Sequence, residues 1–280
     1  MALFTRILIG LANTPGLREV YRSTAYYKAK RLRRERDHQA RVELRERLFR
    51  DALRYDLTVR HGPFAGMLYV NEASCSQVFP KILGSYEEPV HSWIEEIISG
   101  KIYDLILDIG CAEGYYAVGF ARQMPNVRVK AFDIDAQARD RTKRLAELNQ
   151  VGDRVSVGSE CGFEHFQQFG GPSTLIFCDI EGAEDVLLDP VKAPRLKDCG
   201  IFVETHDFQI KGISDRLIER FGESHRIRMA VDYPGRLGNY NLQNSEPLSA
   251  SDRATLMDEI RPPCMRFFFL ESLSSMGQQS

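Results

Sequence analysis

The chain has 280 residues, 43% of them hydrophobic and 27% charged, with a formal net charge of −2, enough for one α/β domain and an appendage. The charge is uneven: residues 1–60 carry 15 Lys+Arg against 7 Asp+Glu, and the remainder carries 22 against 32. An acidic main body lacks the basic footprint that polyanion binding wants, so no nucleic-acid partner is expected, and no run reaches transmembrane length.

Leu3 to Ala12 is apolar but is interrupted by Arg6 and lacks a small-residue cleavage site, so a secretory signal is not expected. Asn13-Thr-Pro-Gly16 reads as a turn. The composition of Tyr26 to Asp56, rich in Arg, Glu and Leu, predicts a helix with Leu44, Leu48, Ala52 and Tyr55 on one face. Two uses stay open for it. A solvated helix that covers its own domain or pairs with a second copy is favoured; attachment to an anionic membrane surface through Arg31, Arg33, Arg34 and Arg36 is the alternative. His61-Gly-Pro63 breaks the pattern, which divides the chain into a basic helical extension (1–60) and a main domain (61–280). Pro63 to Ser85 reads as loops and short strands, and Glu88 to Ile98 as a helix ended by Gly100.

Tyr103 to Ala121 organises the rest. Leu105 to Ile109 is an apolar run closed by a glycine turn through Gly110 and Gly114, and helical spacing follows until near Pro125. That is the opening of a nucleotide-type βαβ unit. A second strand, Val127 to Phe132, ends in Asp133, 23 positions after Gly110, close to the roughly 20-residue spacing at which a strand-end acid meets a ribose diol. Ala112 occupies the second glycine position of a dinucleotide loop, and Glu113 falls where a pyrophosphate would lie. A carboxylate there repels phosphate but tolerates an ammonium or a sulfonium, so S-adenosylmethionine is the expected cofactor and NAD is not.

Ala136 to Gln150 is predicted helical, Val155 to Val157 a third strand, and Thr174 to Cys178, after the Gly170-Gly171-Pro172 turn, a fourth. Ile201 to Val203, Arg226 to Val231 and Arg266 to Leu270 complete seven strands, the last antiparallel. Asp232 to Met265, with a helix near Ser251 to Ile260, is too long for a hairpin and reads equally as a lid or as a plain surface loop. The six cysteines form no C-x-x-C pair, which fits reduced thiols and a cytoplasmic location.

Asp108-Ile-Gly-Cys-Ala-Glu-Gly114 resembles motif I of class I S-adenosylmethionine-dependent methyltransferases. Cys178-Asp-Ile-Glu-Gly-Ala-Glu184 and Val203-Glu-Thr-His-Asp207 are similar to the strand-end signatures of the FkbM-like branch. The resemblance runs from about Tyr86 to Glu271. It implies a Rossmann-like, seven-stranded, mostly parallel sheet with helices on both faces. It also implies methyl transfer to a hydroxyl of a sugar, glycolipid or secondary metabolite. Cofactor contacts are expected at Glu87, Asp108, Gly110, Ala112, Glu113, Gly114, Tyr115, Asp133, Glu160 and Asp179.

Asp179, Glu204 and His206 fall at the ends of adjacent strands and are the expected catalytic set. His206 has the imidazole pKa that suits a general base. In a second scheme the same three side chains hold Mg²⁺. The metal-free scheme is favoured, because no local ligand spacing demands an ion, and Glu181 and Glu184 are expected to anchor the turn between the strand and the next helix. A non-catalytic nucleotide-binding scaffold is the alternative reading of the whole chain.

Overall fold

A computed structural model describes residues 25–51, 53–73, 76–232, 240, 249–261 and 264–276. The expected turn at 13–16, the apolar stretch at 3–12, Ala52, Cys75 and most of the connection after Asp232 lie outside these residues. The chain divides into two compact units, Met1–Tyr55 and Asp56–Ser280.

Among the described residues of the first unit is the helix α1 (Ala25–Asp51). It ends five residues before the expected boundary, and Arg54 and Tyr55 follow with left-handed φ of 51° and 55°. Tyr55 therefore lies off the helix and cannot share a stripe with Leu44 and Leu48. Near the end of α1, Leu48 and Phe49 are buried. Its first turn carries no acid to meet the helix dipole, and Arg31 and Glu35 pair at 3.1 Å along its surface.

The second unit holds α2 (Val78–Leu83), α3 (His91–Gly100), β1 (Leu105–Ile109), α4 (Tyr115–Gln123), β2 (Arg128–Phe132) and α5 (Ala136–Leu148). There follow β3 (Val155–Gly158), α6 (Phe163–Phe169), β4 (Thr174–Cys178), α7 (Glu184–Leu187), β5 (Gly200–Thr205), α8 (Ile213–Phe221), β6 (His225–Asp232), α9 (Ala250–Met257) and β7 (Met265–Ser272). The strands form a single sheet in the order β3-β2-β1-β4-β5-β7-β6. Five strands run parallel, and β7 is antiparallel to both β5 and β6. This is the Rossmann-like class I methyltransferase sheet that the resemblance implies, flanked by helices. The strands at its centre, β1 and β4, are buried along their whole length, which is why both read as unbroken apolar runs.

One side of the sheet packs Leu107, Ile109, Ile176, Ile201 and Val203 against Phe166, Leu217 and Phe221 of α6 and α8. Phe177 and Phe202 stack at 4.4 Å with 6° between their planes, and Trp93 of α3 meets Phe202 edge-on. One expectation needs correction. Residues 78–83, read as loop, form α2; a six-residue helix holding Pro80 is too short to show a helical period. Glu87 takes a left-handed φ of 54° ahead of a short 3-10 turn at Glu88–Val90.

Candidate active site

The sheet reverses direction between β1 and β4, the place where an open α/β sheet leaves a crevice at the carboxyl ends of its strands. A cavity of about 900 Å³ opens there, near the top of the roughly 300–1,000 Å³ spanned by ligand sites. Of the expected site residues, Gly110, Ala112, Asp133, Glu160, Asp179, Glu204 and His206 line it.

Gly110 shows why these ends converge. Its φ is 84°, and a Cβ on it would stand 1.7 Å from the Asp179 carbonyl oxygen. Only glycine lets the turn after β1 touch the end of β4. Gly114, at φ 94°, makes a similar approach to Thr142 of α5, where a Cβ would lie 2.9 Å from Cγ2. Ala112 holds a left-handed φ of 49° although it carries a Cβ. Asp133 steadies that conformation: its Oδ2 accepts from Ala112 N at 2.9 Å and its Oδ1 from Asp135 N at 2.8 Å. The strand-end acid thus fastens the loop as well as facing the cavity.

Glu113 is placed differently from the expectation. It is fully buried, outside the cavity lining, and its Oε1 accepts from both Tyr69 Oη and Lys81 Nζ. Lys81, only 3% exposed, is the partner that reaches the cavity wall. Its ammonium also donates to Ser76 Oγ at 2.8 Å and lies 4.5 Å from the centre of the Tyr86 ring. Lys81 of α2 therefore presents a cation to the cavity where the Glu113 carboxylate was expected, and the argument against phosphate loses its stated basis. Asp108, Gly114, Tyr115 and Glu87 also lie behind the lining. Tyr115 packs edge-on against Phe64 and Tyr86. The Asp108 carboxyl is pushed up to about 8, chiefly by burial, with the Asp179 and Asp133 charges adding to it.

At the ends of β4 and β5 the groups form a chain. His206, almost wholly buried, bonds through Nδ1 to Glu184 Oε1 at 2.6 Å, while its Nε2 stands 3.6 Å from Asp179 Oδ1 and 3.5 Å from Glu181 Oε2. Burial pulls the imidazole pKa down, but the Glu184 hydrogen bond and the Asp179, Glu184 and Glu181 charges outweigh it, leaving it above the ordinary value. Desolvation pushes the Asp179 carboxyl up to about 6, with His206 opposing the rise. Glu184 also accepts from Gly182 N at 3.0 Å, the turn-anchoring role expected of it. Glu181 departs from that role. Its left-handed φ of 56° accompanies a side chain that accepts from Gln209 Nε2 and stands beside His206.

Asp179, Glu181 and His206 offer ligand atoms within 4.8 Å of one another, a set that could hold a divalent cation. The expected third ligand, Glu204, is engaged elsewhere. Its Oε1 accepts from Arg261, whose other nitrogens pair with Glu87 and, at 2.7 Å, with Glu259. Burial drives the Glu204 carboxyl well above its ordinary range, with Arg261 opposing and Asp179 and Glu87 adding to the rise. Arg261 and Glu259 also line the cavity. Neither was legible in the sequence, since both sit in the connection read as a polar loop. Ile134 was missed too; it follows Asp133, lines the cavity and is 85% exposed, an apolar face with nothing packed on it.

No family model matches the chain. It is 30% identical over 123 residues to the ribosomal protein L11 methyltransferase of Acinetobacter baylyi, covering 44% of this chain and 38% of that one. It is 23% identical over 171 residues to the polyamine aminopropyltransferase of Neisseria meningitidis serogroup A, covering 58% and 64%. The chain thus spans between 38% and 64% of the length of these curated relatives. Among solved structures, the O-methyltransferase from Bacillus cereus in complex with SAH aligns with a TM-score of 0.43 at 15% identity, over 64% of this chain and 79% of that one. A precorrin-6Y C5,15-methyltransferase from Geobacter metallireducens aligns with a TM-score of 0.41 at 14% identity, over 64% and 87%.

Proposed function

We propose that the chain is an S-adenosylmethionine-dependent O-methyltransferase of the FkbM-like kind, acting on a hydroxyl of a sugar-like or glycolipid acceptor. The observation that carries this reading is the cavity in which the Gly110–Ala112 loop and Asp133 face the Glu184–His206–Asp179 chain. A scaffold would have no use for a buried imidazole braced at one nitrogen and open to a cavity at the other. The methyltransferase among the partial relatives points the same way.

When bound, S-adenosylmethionine supplies an electrophilic methyl group on a sulfonium. Asp133 would accept from the ribose hydroxyls through lone pairs its backbone bonds leave free, the exposed side chain of Ile134 would meet the adenine, and Lys81 would hold the cofactor's carboxylate. Its ammonium has three donors, and Ser76 and Glu113 account for two. Glu184 fixes the His206 tautomer by accepting from Nδ1–H, so that Nε2 takes the proton of the acceptor hydroxyl. Carboxylates accept hydrogen bonds from several hydroxyls at once, which suits the acid-rich wall to a polyol. Asp179, Glu181 and His206 would hold a divalent cation should one bind, supplying Lewis acidity to the acceptor oxygen; the Glu184–His206 brace does the proton's work without it. The basic extension, residues 1–60, is read as an accessory to assembly and not to the chemistry.

Calorimetry with S-adenosylmethionine, S-adenosylhomocysteine and NAD tests the cofactor. The first two bind and NAD does not; binding of NAD alone overturns the reading.

A further inference from the structure

The half of the cavity that faces the acceptor carries more negative charge than its own cations balance. The whole lining holds seven carboxyl groups, from Asp133, Asp135, Glu160, Asp179, Glu181, Glu204 and Glu259, against the permanent cations Lys81 and Arg261; with Glu204 set aside, because burial favours its neutral form, six still face those two. Lys81 reaches the wall from α2 and is committed to Glu113 behind the motif I loop. Arg261 is outnumbered by Glu87, Glu204 and Glu259, all three nearly buried. Around His206 the excess repeats, with Asp179 and Glu181 before it and Glu184 behind it.

Two of these carboxylates carry buried oxygens that meet no hydrogen-bond donor among the described residues. They are Asp179 Oδ1, of a residue that lines the cavity, and Glu184 Oε2, of a side chain with no exposed surface at all. Buried carboxylate oxygens are ordinarily satisfied by donors, and a donor with positive charge satisfies them best. Val186 of α7, together with Phe208 and Ile260 from two loops, each more than half exposed, adds apolar surface to the lining.

We infer that the acceptor is cationic: a hydroxylated molecule bearing a protonated amine, an amino sugar or similar amino-polyol, whose ammonium seats between Asp179 and Glu181 while its apolar faces meet Phe208 and Val186. This rests on the methyltransferase reading above and specifies its acceptor. A protonated amine has no lone pair, so it anchors the molecule and leaves a neighbouring hydroxyl as the group that loses its proton to His206 and receives the methyl.

Three probes on one hexose scaffold separate charge from shape: glucosamine, glucose and glucuronate, each titrated by ligand-observed NMR into the full chain loaded with S-adenosylhomocysteine. Glucosamine is expected to bind about tenfold tighter than glucose, the scale of one charge-assisted hydrogen bond, and glucuronate weakest. Added salt shrinks the preference. Glu181→Gln, at a position 58% exposed in its side chain, cuts the preference while S-adenosylhomocysteine affinity stays unchanged. Equal binding of glucose and glucosamine, tighter binding of glucuronate, or a preference that survives Glu181→Gln overturns the inference. So does Mg²⁺ that binds the same carboxylates and excludes glucosamine. Failure of S-adenosylhomocysteine to bind instead strikes the methyltransferase reading, and the same titrations on the unloaded chain still decide the charge preference.

Discussion

The two walls of the cavity are built by different means. The wall after β1 and β2 is made of backbone: Gly110 against the Asp179 carbonyl, and Ala112 N and Asp135 N on the Asp133 carboxylate. The wall after β4 and β5 is made of side-chain charge, with Arg261 gathering carboxylates from positions 87, 204 and 259. The first rests on backbone conformation and tolerates change in proportion to the hydrogen bonds lost. The second joins distant segments through buried ions, so removing one partner strands the others.

The largest expected effect therefore falls on the ionic wall. Arg261→Ala leaves buried carboxylates without their guanidinium and costs about 3–5 kcal/mol of stability, read by urea denaturation. Its pH dependence has a definite sign. The Glu204 carboxyl already sits well above its ordinary range, so the stability it allows is present at low pH and is lost as pH rises through that elevated value. Without Arg261, which holds that pKa down, the loss is larger and continues to higher pH than in the parent. A variant as stable as the parent at all pH values would remove the distinction between the walls.

His206→Ala is next. Turnover falls by about 10²–10⁴-fold with cofactor affinity unchanged. The parent's rate rises with pH through a midpoint above that of free imidazole, because the surrounding carboxylates hold the ring's proton. Turnover in the presence of a chelator separates the proton relay from a cation at Asp179, Glu181 and His206; resistance to the chelator sustains the relay.

The backbone wall gives smaller numbers. Asp133→Asn weakens cofactor binding by about 1–3 kcal/mol, through the loosened Ala112 turn as well as the ribose contact, and calorimetry reads it directly. Ala112→Gly gives the smallest effect. It removes the cost of a left-handed φ under a Cβ and gains unfolded-chain entropy, leaving a change within about 1 kcal/mol by thermal denaturation.

The same contrast sets what could be read from sequence. The strands, the glycine turn and Asp133 were legible because each rests on a pattern a few residues long. Lys81 was not: it belongs to a helix too short for a period, and its ion pair with Glu113 spans 32 positions. The direction of the Glu113 side chain was misread for the same reason, since spacing places a residue in a turn without saying which way it points. Arg261 reaches across 174 positions to Glu87, beyond any local rule. His206 was legible by its place after β5, but the Glu184 brace behind it was read only as a turn anchor.

The order of strands has a consequence for how the molecule comes into being. β7, which follows β6 in the chain, lies between β5 and β6, and among the described residues β6 pairs with no other strand. During synthesis, His225–Asp232 therefore waits without a ladder until Met265–Ser272 has left the ribosome, and Arg261 arrives only just before it. A nascent chain can assemble the parallel strands and the glycine turn early, yet the acceptor wall closes last. A chain cut before β7 loses two strands from its sheet, not one, and carries an open edge along β5 that invites pairing with its neighbours.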